Sequence, residues 1–257
     1  MRLGAIPTTK QWQAIVDSAA SAEWQSDLRA VKGLASQVLE LSKGALQADT
    51  SRAAITEVMR LLIDLGLSAE QGAWQERLGD AGNAFAKADS PIDVTVTFHE
   101  TLDRRLEKAA LQTDIAELAQ KAAGEALSGL LWGNTGGLFE KATPVTQLRD
   151  LSTPSGFGEI AQGVFAGIVR HHLGFYLSRV LPGAAREQGA SVAALIRFND
   201  QLSLHAHESS AIVRTFAKEW FSKAKYEKRL SPADINGFVS HSLTKLSDEL
   251  SRQGDRQ

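Results

Sequence analysis

The chain has no cysteine, which excludes disulfides, thiol nucleophiles and cysteine-ligated zinc or iron–sulfur centres. Neither sign of charge dominates. There are 28 Lys and Arg against 30 Asp and Glu, a net of -2, which argues against a strong nucleic-acid or membrane-surface field. Strand-type alternation is nearly absent. No long apolar run is free of charge. The most apolar segment, Phe157 to Leu181, matches a bilayer in length but carries Arg170, His171 and His172 at its middle, with Glu159 and Arg179 near its ends. It reads as a buried helix, and no membrane contact is expected. The first residues, Met1 to Pro7, lack the apolar run of a secretory signal, so the cytoplasm is the expected compartment.

What the sequence does have is apolar content of 43% and helical spacing almost throughout. Trp24, Leu28, Val31, Ala35, Val38 and Leu41 keep a three-four spacing. Ile55, Met59, Leu62 and Leu65 do the same, as do Ile235, Val239, Ser242, Leu246 and Leu250. The β-branched run Ile92 to Phe98 follows Ser90-Pro91-Ile92-Asp93, a helix-start signal, and the apolar stripe continues through Val96, His99, Leu102 and Leu106. It therefore reads as helix. Ser231-Pro232-Ala233-Asp234 opens the last helix in the same way. Thr8, Ser68 and Asp114, each with Gln or Glu three residues on, suggest further starts. Breaks are expected at Gly66, at Ala88-Asp89 and at Leu181-Pro182-Gly183.

The predicted fold is all-α, an irregular bundle of about nine or ten helices in one or two lobes. The widest break gives the boundaries: an acidic helical lobe over 1–132, a Gly/Pro-containing connector over 133–156 with one short helix from Val145 to Leu151, and a basic helical lobe over 157–257. Residues 1–129 hold 13 basic and 18 acidic side chains, whereas 130–257 hold 15 and 12, so opposite signs favour docking of the halves.

Several patterns could carry chemistry. Gly133-Asn134-Thr135-Gly136-Gly137 lacks the lysine and preceding strand of a phosphate loop and reads as a connector. Ser242 and Lys245 have serine–lysine spacing but no companion motif. His99, Glu100 and Asp103 lie within one helical turn, and His205 with Glu208 forms a second such group. Structural histidines explain both groups better than metal ligands or bases, and neither a metal nor a cofactor is assigned. Arg170, His171 and Arg179 could hold an anion. Gly163, Gly167 and Gly174 suit a close helix–helix seam. A long helix candidate from Ser191 to Lys228 carries an apolar stripe of Phe198, Leu202, Ile212, Phe216 and Trp220 that is interrupted by His205 and Ser209, so either the helix breaks near His205, or a buried polar network sits there, or the stretch faces a partner. Its basic end, Arg214, Lys218, Lys223, Lys225, Lys228 and Arg229, is interleaved with Trp220, Phe221 and Tyr226.

These readings favour a non-enzymatic scaffold or adaptor subunit that contacts a protein partner or its own copies in a larger assembly. The alternative is an accessory nucleic-acid-binding subunit using 214–229. A second alternative is an enzyme or metal protein using His99, His205 and Glu208.

Overall fold

The computed structural model describes residues 9–21, 23–133 and 143–255. Among them the fold is all-α, with no strand. The helices are α1 (Lys10–Ala20), α2 (Leu28–Leu46), α3 (Asp49–Gln71), α4 (Trp74–Leu78), α5 (Gly82–Ala86), α6 (Pro91–Lys108), α7 (Asp114–Gly133), α8 (Pro144–Leu148), α9 (Pro154–Leu177), α10 (Leu181–Glu187), α11 (Val192–Ser209), α12 (Ala211–Tyr226) and α13 (Pro232–Asp255). Nine of these described helices have eleven residues or more, and 3-10 turns fill Glu23–Gln25, Gly79–Ala81 and Arg149–Ser152.

Side-chain caps explain where several helices begin. Ser90 accepts from Asp93 N while Asp93 accepts from Ser90 N, a reciprocal box with Pro91 in the first turn. Ser231 and Asp234 repeat it at α13. Thr153 caps α9 ahead of Pro154 by accepting from Gly156 N at 3.0 Å. The run Ile92 to Phe98 is helical, as its start signal required.

The long apolar helix α9 lies at the centre. It packs along α7 and α12 and also meets α11 and α2. Its buried positions, from Phe157 through Val164, Phe165 and Ile168 to Leu173, surround nearly its whole girth. Phe157 stacks on Phe221 with ring centroids 4.4 Å apart, and Trp220 stacks on Phe238 at 4.6 Å, joining α9, α12 and α13. Each such ring contributes about 1.5–3 kcal/mol by leaving water. Helices α2 and α3 both pack on α13. Among the described residues no helix is long and apolar enough to cross a membrane.

The structure revises several local expectations. Gly66 is no break and Ser68 starts nothing, because α3 runs unbroken to Gln71 and ends at Gly72, whose φ of 71° is left-handed. Gly66 instead lets the Leu151 backbone close in: a Cβ there would lie 2.8 Å from the Leu151 carbonyl carbon. The first cap is Thr9, whose hydroxyl accepts from Trp12 N; Thr8 lies outside the described residues. At α7 the Thr113 hydroxyl, not Asp114, accepts from Ala116 N. Of the alternatives for Ser191 to Lys228, the break is what is found: two helices meet at Ser210, five residues after His205, and the Ser210 hydroxyl bonds back to Ala206 O at 2.7 Å. The buried face of α12 is Val213, Ala217, Phe221 and Ala224, one residue round from the expected stripe. On α6 the core face is Val94, Phe98, Leu102 and Leu106, while Ile92 and Val96 face solvent.

Candidate functional site

Helices α6 and α7 form an antiparallel pair. Gln120 Nε2 reaches back to Asp103 Oδ1 at 2.8 Å and to the His99 carbonyl at 3.4 Å. The pair can close so tightly because position 124 has no side chain: a Cβ on Gly124 would sit 2.3 Å from His99 Nε2. Where the helices part, a groove of about 670 Å³ opens, lined by Thr95, His99, Glu117, Lys121, Glu125 and Ser128 among others. Ile92 lies one turn before Thr95 and Trp132 one turn after Ser128, so both stand at the same end of the groove. Glu117 lines the groove towards the other end, where Gln120 is bonded to Asp103.

Glu125 connects this groove to a second one of about 250 Å³ between α7, α9 and α11, which Arg170, Ser203 and His207 also line. The Glu125 carboxylate takes hydrogen bonds from both Arg170 Nη2 and His171 Nε2, the latter at 2.9 Å. Burial pulls the His171 pKa below its usual value, and Glu125 opposes that shift. Arg170 and His171 thus already hold an anion, supplied by the chain itself. Arg179 is not with them; its guanidinium lies 3.7 Å over the Phe175 ring.

The expected glycine seam is divided. Gly163 and Gly167 receive α7, with Ala126 Cβ and Ala122 Cβ at 3.1 and 2.7 Å from where their own Cβ atoms would be. Gly174 has no such neighbour within 4 Å.

The histidines and acids singled out for metal or base chemistry do not gather. His99 borders the α6–α7 groove, and Glu208 is exposed. His205 is buried on α11 with Ser209 Oγ 3.5 Å from Nδ1, and burial, then the Lys32 charge, push its pKa down to about 4. Among the described residues no three His, Asp or Glu side chains form a metal-holding group.

In the basic stretch the chain supplies carboxylates to four of the six cations. Arg214 pairs with Glu159, Lys223 with Glu227, Lys225 with Glu70, and Arg229 with Glu227 and Asp234. Lys218 and Lys228 have no ion pair among the described residues. Phe216 and Trp220 pack against the core, and only Tyr226, 89% exposed, is open to stacking.

Sequence reasoning missed Gly124 and Glu125. Gly124, set among alanines inside α7, was a signal of close approach. Glu125 is one acid among many, and only the fold brings it to Arg170.

No protein-family model, no curated protein and no solved structure matches this chain.

Proposed function

We propose that the chain is a non-enzymatic helical scaffold or adaptor, acting through protein–protein contacts at the α6–α7 face. The observation that carries this reading is the exposure of Ile92, Val96 and Trp132, at 61%, 51% and 54%, on the two helices that frame the α6–α7 groove. Single exposed apolar side chains are ordinary; a cluster beside a groove is the pattern of a contact surface. The groove's chemistry selects the partner: an amphipathic helix that lays apolar side chains on Ile92, Val96 and Trp132 and a basic residue by Glu117 and Asp103. The charges of 214–229 are mostly taken up within the chain, so this face is favoured over that stretch.

The test is purification with native neighbours, followed by size-exclusion chromatography with light scattering. The wild-type chain should elute in a complex. Ile92→Glu with Val96→Glu should release it while leaving the helical signal and melting temperature within experimental error, because both side chains already face water. A strict monomer that binds nothing, or a complex indifferent to the double change, sinks the reading.

A further inference from the structure

Helix α11 carries an outward apolar row that no described residue covers. Its inner face, Ala194, Phe198, Leu202, His205 and Ala206, packs on α9 and α2, and the Phe198 ring meets Trp24 edge-on with centroids 5.7 Å apart. That packing holds the helix in place and fixes which residues point outward. They include Val192, Ala193, Ile196, Arg197, Asp200 and Leu204. Val192, Ile196 and Leu204 are 73%, 56% and 53% exposed, three large apolar side chains on one helix of 18 residues. Scattered apolar side chains on a surface are ordinary, whereas several along one helix face mark a contact.

The charges on this face identify what covers it. Arg197 and Asp200 stand one turn apart, a spacing at which a helix can pair opposite charges. They do not pair with each other, and neither has an ion pair among the described residues. A free cation and a free anion side by side make the face complementary to itself. Let two α11 helices lie antiparallel, with a twofold axis level with the midpoint between Phe198 and Asn199. Position 197 of each copy is then level with position 200 of the other, and 193 is level with 204. This one register sets each Arg197 against the other copy's Asp200. It also seats each Leu204 on the small side chain of the other copy's Ala193 and brings the two Ile196 side chains together beside the axis. Val192, one turn before Ile196, extends the same edge. The register that satisfies the charges therefore also matches large apolar side chains to small ones.

We propose that the outer face of α11 is a dimer seam, covered by α11 of a second copy of this chain in an antiparallel pair. One helix pair buries less than the roughly 1,600 Å² of a standard interface, so the dimer is weak and forms with rising concentration. Its ion pairs fix register and orientation more than affinity. The seam lies on a different helix from the α6–α7 face, and the two readings stand or fall separately.

Analytical ultracentrifugation of the full chain over a range of concentrations tests the proposal. The average mass should climb from one chain towards two. Ile196→Glu and Leu204→Glu should each abolish the climb. Both should keep the wild-type circular dichroism spectrum and melting temperature, because the side chains they replace face water. Arg197→Glu and Asp200→Arg should each weaken dimerisation about tenfold or more, since each sets like charges against one another. Combining the two changes exchanges the signs and should restore the wild-type dimerisation constant. Ile92→Glu with Val96→Glu should leave that constant unchanged. A chain that stays monomeric up to about 1 mM overturns the proposal, whatever else it captures through α11. So does a dimer that the α6–α7 double change dissociates, or one in which the charge exchange fails to rescue the single variants.

Discussion

His172 Nε2 lies 2.7 Å from Ser42 Oγ, and this bond ties the central α9 to α2 inside the core. A serine and a histidine at this distance resemble a nucleophile and its base, but the proton inventory shows otherwise. The Ser42 hydroxyl donates to Val38 O at 2.6 Å, so its one proton is committed to the backbone. The imidazole must therefore donate from Nε2, which leaves Nδ1 unprotonated and, as observed, buried without a partner. The pair is a structural clasp, and burial keeps His172 neutral. His205, buried on α11, is a second neutral histidine facing the charge of Lys32 on α2.

Acid should therefore loosen α2. Burial pushes both His172 and His205 down to about 4, whereas a histidine in the unfolded chain titrates near 6.5. Below 6.5 the unfolded state takes up protons that the folded state refuses. The stability these neutral histidines allow is complete above about pH 6.5 and is lost as pH falls towards 4. Each contributes a slope of up to about 1.4 kcal/mol per pH unit in that window. Urea unfolding between pH 7 and 4.5 should show the loss, and His172→Gln should flatten it. A stability that stays level over this range would contradict the assignment of either histidine as neutral and buried.

How far the sequence could be read depended on whether one residue pattern had one meaning. The helical reading of Ile92 to Phe98 held because Ser90, Pro91 and Asp93 speak for a helix start whatever follows. The orientation of α6 was not legible. Ile92 and Val96 form one apolar line, Val94 and Phe98 form another, and periodicity cannot tell which faces the core when both exist. Gly66 failed for a related reason: glycine serves both to end a helix and to admit a neighbour's backbone, and the neighbour, Leu151, is far away in sequence. At the candidate site His99 was visible as a polar residue on an apolar line. Its contact with Gly124, and the meeting of Glu125 with Arg170 and His171, depend on pairings between helices that no local pattern records.

The basic end of α12 gives a test that separates structural from recognition charge. Lys225 Nζ lies 2.8 Å from both Glu70 oxygens and 2.9 Å from Ser152 O, joining α12 to the end of α3 and the turn before α9. Lys223 is 4.0 Å from Glu227 and 74% exposed. Lys225→Ala should cost about 1 kcal/mol in denaturant unfolding, since it strands a carbonyl and a carboxylate, whereas Lys223→Ala should stay within about 0.5 kcal/mol of wild type. A fluorescent oligonucleotide at low salt supplies the contrast. Equal and large losses of oligonucleotide affinity in the two variants would restore the nucleic-acid reading of this stretch.

The last two members of the α9 glycine line should respond to alanine with opposite signs. At Gly167 a new Cβ would lie 2.7 Å from Ala122 Cβ and 3.1 Å from Ala122 Cα, so α7 and α9 must separate along a close contact. Overpacking of this kind costs about 1–3 kcal/mol, and no flexible side-chain end is present to yield. At Gly174, also within α9, the same Cβ meets nothing within 4 Å, so Gly174→Ala gains the helix propensity of alanine, up to about 1 kcal/mol, without a clash. Gly124→Ala should fall between them. Its clash is with the far end of the His99 ring, which can turn into the groove at the loss of its packing, and removing that ring with His99→Ala should abolish most of the penalty. Thermal or urea unfolding of the three glycine variants, of His99→Ala and of the Gly124/His99 double variant measures these values. A destabilised Gly174→Ala, or a Gly124→Ala penalty that persists without the histidine ring, would show that α7 and α9, or α6 and α7, do not meet in the register described.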